Sequence, residues 1–79
     1  MEYMRHFERN PQICGGEPVI KGTRVPVKTI LASLASGDSA AAIRKDFPVL
    51  QAADVRAVIM LAAQMAGRRL RPEAFPKAS

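Results

Sequence analysis

Side chains able to do chemistry are few in this chain. Among 79 residues there is one histidine, His6, and one cysteine, Cys14. One imidazole and one thiol cannot close a tetrahedral zinc site, and a lone cysteine excludes an internal disulfide. His6 has no serine or cysteine partner in a motif that would make it a general base, so a surface histidine near a frayed terminus is expected. Cys14 has no basic neighbour to activate its thiol and reads as a small buried packing residue. Gly15-Gly16 is not followed by the Gly-Lys-Ser/Thr of a phosphate loop. The carboxylates are scattered among basic neighbours. Catalysis, a metal and a cofactor are therefore not expected.

The cations are more informative. Twelve Lys+Arg against seven Asp+Glu give a formal charge of +5. Residues 40–79 hold seven of those cations and three of the acids. Such an excess suits an anionic partner, nucleic acid or an acidic protein surface. Gln51 and Arg56 are the side chains able to reach base edges, since glutamine pairs with adenine and arginine with guanine. Arg44 and Lys45 are placed to hold phosphates. The same four also fit a plain solvated face. Further on, Arg68, Arg69, Leu70 and Arg71 precede Pro72 and Phe75. They suit a charged helix end, with cations at the negative pole of the macrodipole. They equally suit an arm that orders on a partner, with Leu70 and Phe75 in apolar pockets and arginines on carboxylates.

These groups need a frame, and residues 11–27 carry its punctuation. Gly15 and Gly16 supply a tight turn where positive φ is free. Pro18 and Pro26 bracket two extended triplets, Val19-Ile20-Lys21 and Thr23-Arg24-Val25, with Gly22 between them where a hairpin turn needs it. Thr23 is expected to hydrogen-bond that turn, and Arg24 to pair with Glu17 or a helix C-terminus; a phosphate contact from a wing is the alternative.

Three helices are predicted next. Val27, Ile30, Leu31 and Leu34 form one helical stripe, with Pro26 at the first helical position and Gly37 as the left-handed stop. Ser39 caps a second helix through Asp46, turning Ile43 and Phe47 inward, and Pro48 ends it. A third starts near Gln51 or Ala52, with Asp54 in its first turn and Val55, Val58, Ile59, Ala62 and Met65 or Ala66 inside. It ends at Gly67 or runs on towards Arg71. The fold class is thus mainly α with a short N-terminal β-hairpin and a three-helix, helix-turn-helix unit. The expected domain covers residues 1–67, with a basic, flexible arm at 68–79.

So small a chain buries a modest core, and a homodimer is the common remedy. No apolar run approaches the roughly 20 residues that cross a bilayer, so a cytoplasmic protein without membrane contact is expected.

The string Gly-Gly-Glu-Pro-Val-Ile-Lys-Gly-Thr-Arg-Val-Pro-Val at residues 15–27 resembles the signature of a short prokaryotic family. That family was first catalogued as a domain of unknown function and is now treated as antitoxin-like. The likeness continues through Ile30, Leu31, Leu34, Ile43, Phe47-Pro48, Leu50 and Asp54-Val55-Arg56. It implies a homeodomain-like or winged helix-turn-helix core, N-terminal strands used in dimerisation, and a PIN-like ribonuclease toxin as partner. The function expected on these grounds is an antitoxin that also represses its own operon through double-stranded DNA. Ala42 and Gln51 depart from the family pattern at two helix starts, each a loss of up to about 1 kcal/mol. A stand-alone DNA-binding regulator, or a protein-interaction adaptor without DNA binding, are the alternatives.

Overall fold

The computed structural model describes residues 2–69, with side chains as far as Gly67. A 3-10 helix, Glu2–His6, runs directly into strand β1, Phe7–Glu8. A 3-10 turn at Cys14–Gly16 precedes strand β2, Val19–Ile20. Helices α1 (Val27–Ala35), α2 (Ala40–Asp46) and α3 (Ala52–Arg69) follow. The fold is mainly helical with one short antiparallel strand pair, as predicted.

β2 takes β1 as its partner strand and keeps only part of the expected pairing on its other edge, where the Ile20 N–H donates to the Val25 carbonyl at 3.0 Å. β2 pairs with β1, Phe7 opposite Ile20 and Glu8 opposite Val19. Thr23-Arg24-Val25 is not a strand, because the threonine diverts its backbone groups. The Ile20 carbonyl accepts the Thr23 N–H at 2.9 Å and the Thr23 hydroxyl at 2.7 Å. Thr23 Oγ1 in turn accepts the Val25 N–H at 3.0 Å. Side-chain capture of this kind competes with a ladder. Gly22 turns the loop at φ 79°. One isolated bridge, Val19 to Pro26, closes the other edge of β2. Two backbone bonds make it, the Ile20 N–H on the Val25 carbonyl and the Val27 N–H on the Pro18 carbonyl, both at 3.0 Å, and α1 begins directly after it.

Cys14, Gly15 and Gly16 are all left-handed, at φ 51°, 64° and 88°. The glycines serve as expected. Cys14 does not: it is exposed rather than packed, its thiol 3.6 Å from the Arg24 carbonyl. A surface turn in this conformation carries its side chain to solvent, and a non-glycine residue pays on the order of 1 kcal/mol for it.

The α1 stripe is as predicted, with Val27 and Ile30 buried and Leu31 and Leu34 packed against the core. Pro26 is the N-cap rather than the first helical residue, because its ψ of 141° is extended. Gly37, at φ 93°, ends α1 in a Schellman arrangement: its N–H reaches the Leu34 carbonyl, and that of Asp38 reaches Ser33, both at 3.0 Å. Ser39 caps α2, its Oγ accepting the Ala42 N–H at 3.1 Å. Phe47 leaves helical geometry just before Pro48.

The core gathers Ile20, Val27, Ile30, Ile43, Leu50, Val55 and Val58. On α3 the buried face departs from expectation. Val55 and Val58 are inside, but Ala57 is buried in place of Ile59, which is 47% exposed. The 3-10 helix shares a cleft with the Ala53, Ala57 side of α3 and shields it, which turns Ile59 outward. α3 passes Gly67 without a break and continues to Arg69. No helix among the described residues is long and apolar enough to cross a membrane.

Candidate nucleic-acid interface

Two adjoining clefts form where the 3-10 helix, the loop after β2 and the first turns of α3 converge. One, of about 400 Å³, is lined by Arg5, His6, Lys21, Thr23, Gln51 and Asp54 among others. The second, of about 200 Å³, holds Glu2, Arg56 and Met60 and shares Arg5 and His6 with the first. The β1–β2 pairing accounts for the first set, since the Lys21 N–H donates to the His6 carbonyl at 2.7 Å. That bond brings the turn after β2 beside the N-terminal helix.

Asp54 organises the start of α3. Its Oδ2 accepts the Gln51 N–H at 2.9 Å, the half of a capping box that a third-position carboxylate supplies. Leu50 and Val55, both buried, occupy the hydrophobic-staple positions around it. Its Oδ1 accepts from His6 Nδ1 at 2.9 Å, with the two side chains 15% and 25% exposed. His6 is therefore not a frayed surface residue; a tertiary hydrogen bond and the 3-10 helix fix it. Both carboxylate oxygens of Asp54 are committed to protein donors. The cleft margin is then set by Arg5, Lys21 and Arg56, all exposed cations.

Gln51 and Arg56 are brought to this surface, each exposed and each in one of the two clefts. Arg44 and Lys45 are exposed in the last turn of α2 and line neither cleft. Thr23 has the turn-holding role. Arg24 is exposed and does not pair with Glu17, whose carboxylate takes Lys28 Nζ at 2.9 Å. Lys28 sits in the first turn of α1, where Glu17 can reach it once Pro18 has set the chain direction. Arg68 and Arg69 end α3, their side chains outside the described set, and Leu70, Arg71 and Phe75 lie outside the described residues. Two cations, Arg5 and Lys21, escaped the sequence, because only the β1–β2 pairing brings them to α3. Among the described residues no three His, Cys, Asp or Glu side chains are grouped to hold a metal.

A family model described as "Protein of unknown function (DUF433)" matches residues 8–62. Lys21, Gln51, Asp54 and Arg56 fall inside that span, while Arg5 and His6 precede it. A curated relative, "Uncharacterized protein y4eO" of Sinorhizobium fredii (strain NBRC 101917 / NGR234), is 45% identical over 47 residues, covering 60% of this chain and 21% of the relative. The chain thus spans about a fifth of that relative's length. The crystal structure of a DUF433 member protein from Anabaena variabilis ATCC 29413 is similar at a TM-score of 0.68 and 28% identity. That match covers 80% of this chain and 62% of the other.

Proposed function

The chain belongs to the DUF433 family, and we propose that it is the antitoxin of a type II toxin–antitoxin pair. In this role it binds and silences a PIN-like ribonuclease and represses its own operon by holding duplex DNA. The observation that carries the DNA half is the fate of Asp54. A carboxylate that points outward at the start of a recognition helix repels phosphates; Asp54 keeps its charge, but both its oxygens are turned to protein donors, His6 and the Gln51 N–H. Cations outnumber acids on what remains outward, with Arg5, Lys21 and Arg56 beside Glu2 around α3, and Arg44 and Lys45 beside Asp46 on α2. The positive end of the α3 macrodipole lies in the same place. α2 and α3 are joined by a short turn, the order of a helix-turn-helix, with Gln51 and Arg56 near the α3 N-terminus where base readers sit.

The toxin half is supported by the likeness of residues 15–27 to the antitoxin-like signature and by the arginines of the 68–71 run. These are the chemistry that engages the acidic, metal-binding cluster of a nuclease. A cytoplasmic site of action belongs to this proposal.

A mobility shift with the duplex upstream of the chain's own reading frame tests the first half. Arg44→Ala with Lys45→Ala weakens every duplex alike, whereas Arg56→Ala relaxes one base preference. Co-expression with the nuclease encoded next to it tests the second half through recovery of growth. No shift on any duplex together with no recovery overturns the proposal. One observation favours a second reading. Ala52, Ala53, Ile59 and Met60 leave the exposed side of α3 poor in base-reading groups, as in a protein-interaction adaptor; growth recovery without any DNA shift selects that reading.

A further inference from the structure

The short turn that leads into α3 leaves one large apolar side chain in solvent. Phe47 packs against the core and Leu50 is buried, while Val49 between them is 58% exposed. A single exposed valine needs no explanation of its own. Its surroundings are what point to a role. Val49 lines the same cleft of about 400 Å³ as Gln51, together with Arg5 and Lys21. The other polar side chains of that cleft are engaged within the protein. Asp54 holds His6 and the Gln51 N–H, and the Thr23 hydroxyl donates to the Ile20 carbonyl while accepting the Val25 N–H. The Gln51 amide and the Val49 methyls are the neutral side-chain groups left exposed there.

We propose that Val49 is a specificity residue that contacts the C5-methyl of a thymine in the major groove, beside the adenine that Gln51 reads. The inference rests on the duplex-binding reading above and adds which bases the cleft selects. Of the four DNA bases only thymine carries a methyl group on its groove edge, and it stands in the major groove. Adenine offers the N6 and N7 groups that a glutamine amide meets as a pair. Cytosine is read by a carboxylate accepting from its N4 amine, and the carboxylate of this cleft has both oxygens on protein donors. Two positions apart in the chain, the backbones of Val49 and Gln51 are separated by about 7 Å at most. Successive base pairs rise by about 3.4 Å, so the thymine lies within about two base pairs of the adenine.

The first turn of α3 has few base readers, since Ala52 and Ala53 follow Gln51 on its exposed side. A contact from the preceding turn supplies what the helix lacks. Arg5 and Lys21 reach the same cleft from the N-terminal segment and from the turn after β2, with charge for the flanking phosphates. Exposure also frees Val49 from a packing role, so its replacement separates recognition from folding, which replacement of the buried Leu50 does not.

The test is fluorescence anisotropy of the full chain with the duplex upstream of its own reading frame, each thymine replaced in turn by uracil. Uracil keeps the pairing, the O4 acceptor and the phosphates, and lacks only the methyl. One such replacement per bound chain lowers affinity about three- to fivefold, the effect of taking one methyl out of apolar contact, and the others change little. In Val49→Ser that uracil duplex and its thymine parent bind alike. Ile59→Ala, exposed on α3 outside both clefts, keeps the full discrimination. Thermal melts of Val49→Ser match those of the native chain. Binding indifferent to uracil at every position overturns the assignment and leaves duplex binding standing, and so does discrimination that Val49→Ser retains. Failure to bind any duplex overturns the duplex-binding reading, and this assignment with it.

Discussion

His6 and Asp54 are 48 positions apart in sequence and 2.9 Å apart in space, imidazole Nδ1 donating to carboxylate Oδ1. The same carboxylate caps α3 through the Gln51 N–H. One acid thus ties the N-terminal 3-10 helix to the helix that presents Gln51 and Arg56. Tyr3, 9% exposed and edge-on to Phe7 at 6.4 Å, anchors the same segment.

Removing that acid is expected to loosen both elements. Asp54→Ala lowers unfolding free energy by about 1–3 kcal/mol, since it deletes a cap and leaves His6 unpaired. His6→Ala costs about 1 kcal/mol, and the double variant costs less than the sum of the two. Urea titrations of the four proteins measure the coupling, and strict additivity contradicts the shared role.

The turn after β2 depends on one hydroxyl and one glycine. Thr23→Val strips the Ile20 carbonyl of a donor and the Val25 N–H of its acceptor, at an expected cost of about 1–3 kcal/mol. Gly22→Ala costs about 1 kcal/mol for conformational reasons alone, because no atom lies within 4 Å of the added Cβ. Thr23→Ser, which keeps the hydroxyl, recovers most of the loss in the same denaturation assay.

Two isoleucines separate core from surface. Ile30 is fully buried and Ile59 is 47% exposed. Ile30→Ala is expected to cost about 2–5 kcal/mol, whereas Ile59→Ala changes monomer stability by no more than about 0.5 kcal/mol. Thermal melts at low protein concentration measure both.

Much of this fold was legible in the chain. The Val27, Ile30, Leu34 spacing, the Gly37 stop, the Ser39 cap and the Pro48 break each act locally, so a short window contains their cause. The partner of β2 was hidden because Phe7–Glu8 is too short to show alternation, and the Thr23 hydroxyl, by taking the Val25 N–H, limits the nearer candidate to one bridge. The orientation of α3 was hidden for a different reason. Valine, isoleucine, leucine, methionine and alanine surround it on nearly every side, so periodicity carries little contrast, and the shielding by the N-terminal helix decides which side is buried. Of the candidate interface, Arg44, Lys45, Gln51 and Arg56 could be chosen by residue type and position. Arg5, Lys21 and the His6–Asp54 bond depend on contacts between distant segments.

Arg5 and Lys21 provide a direct check on the added part of that surface. Their joint replacement by alanine is expected to weaken duplex binding without altering preference among sequences, because both act on phosphates. Competition between specific and random duplexes separates the two effects.

The measurement closest to the central claim is the salt dependence of duplex binding by fluorescence anisotropy, using the DNA upstream of the chain's own reading frame. With Arg5, Lys21, Arg44, Lys45 and Arg56 on phosphates or bases, log K falls with log salt at a slope of roughly −4 per chain, and Arg44→Ala with Lys45→Ala reduces that slope by about 2. Binding that is flat in salt, or absent even at low salt, contradicts the account.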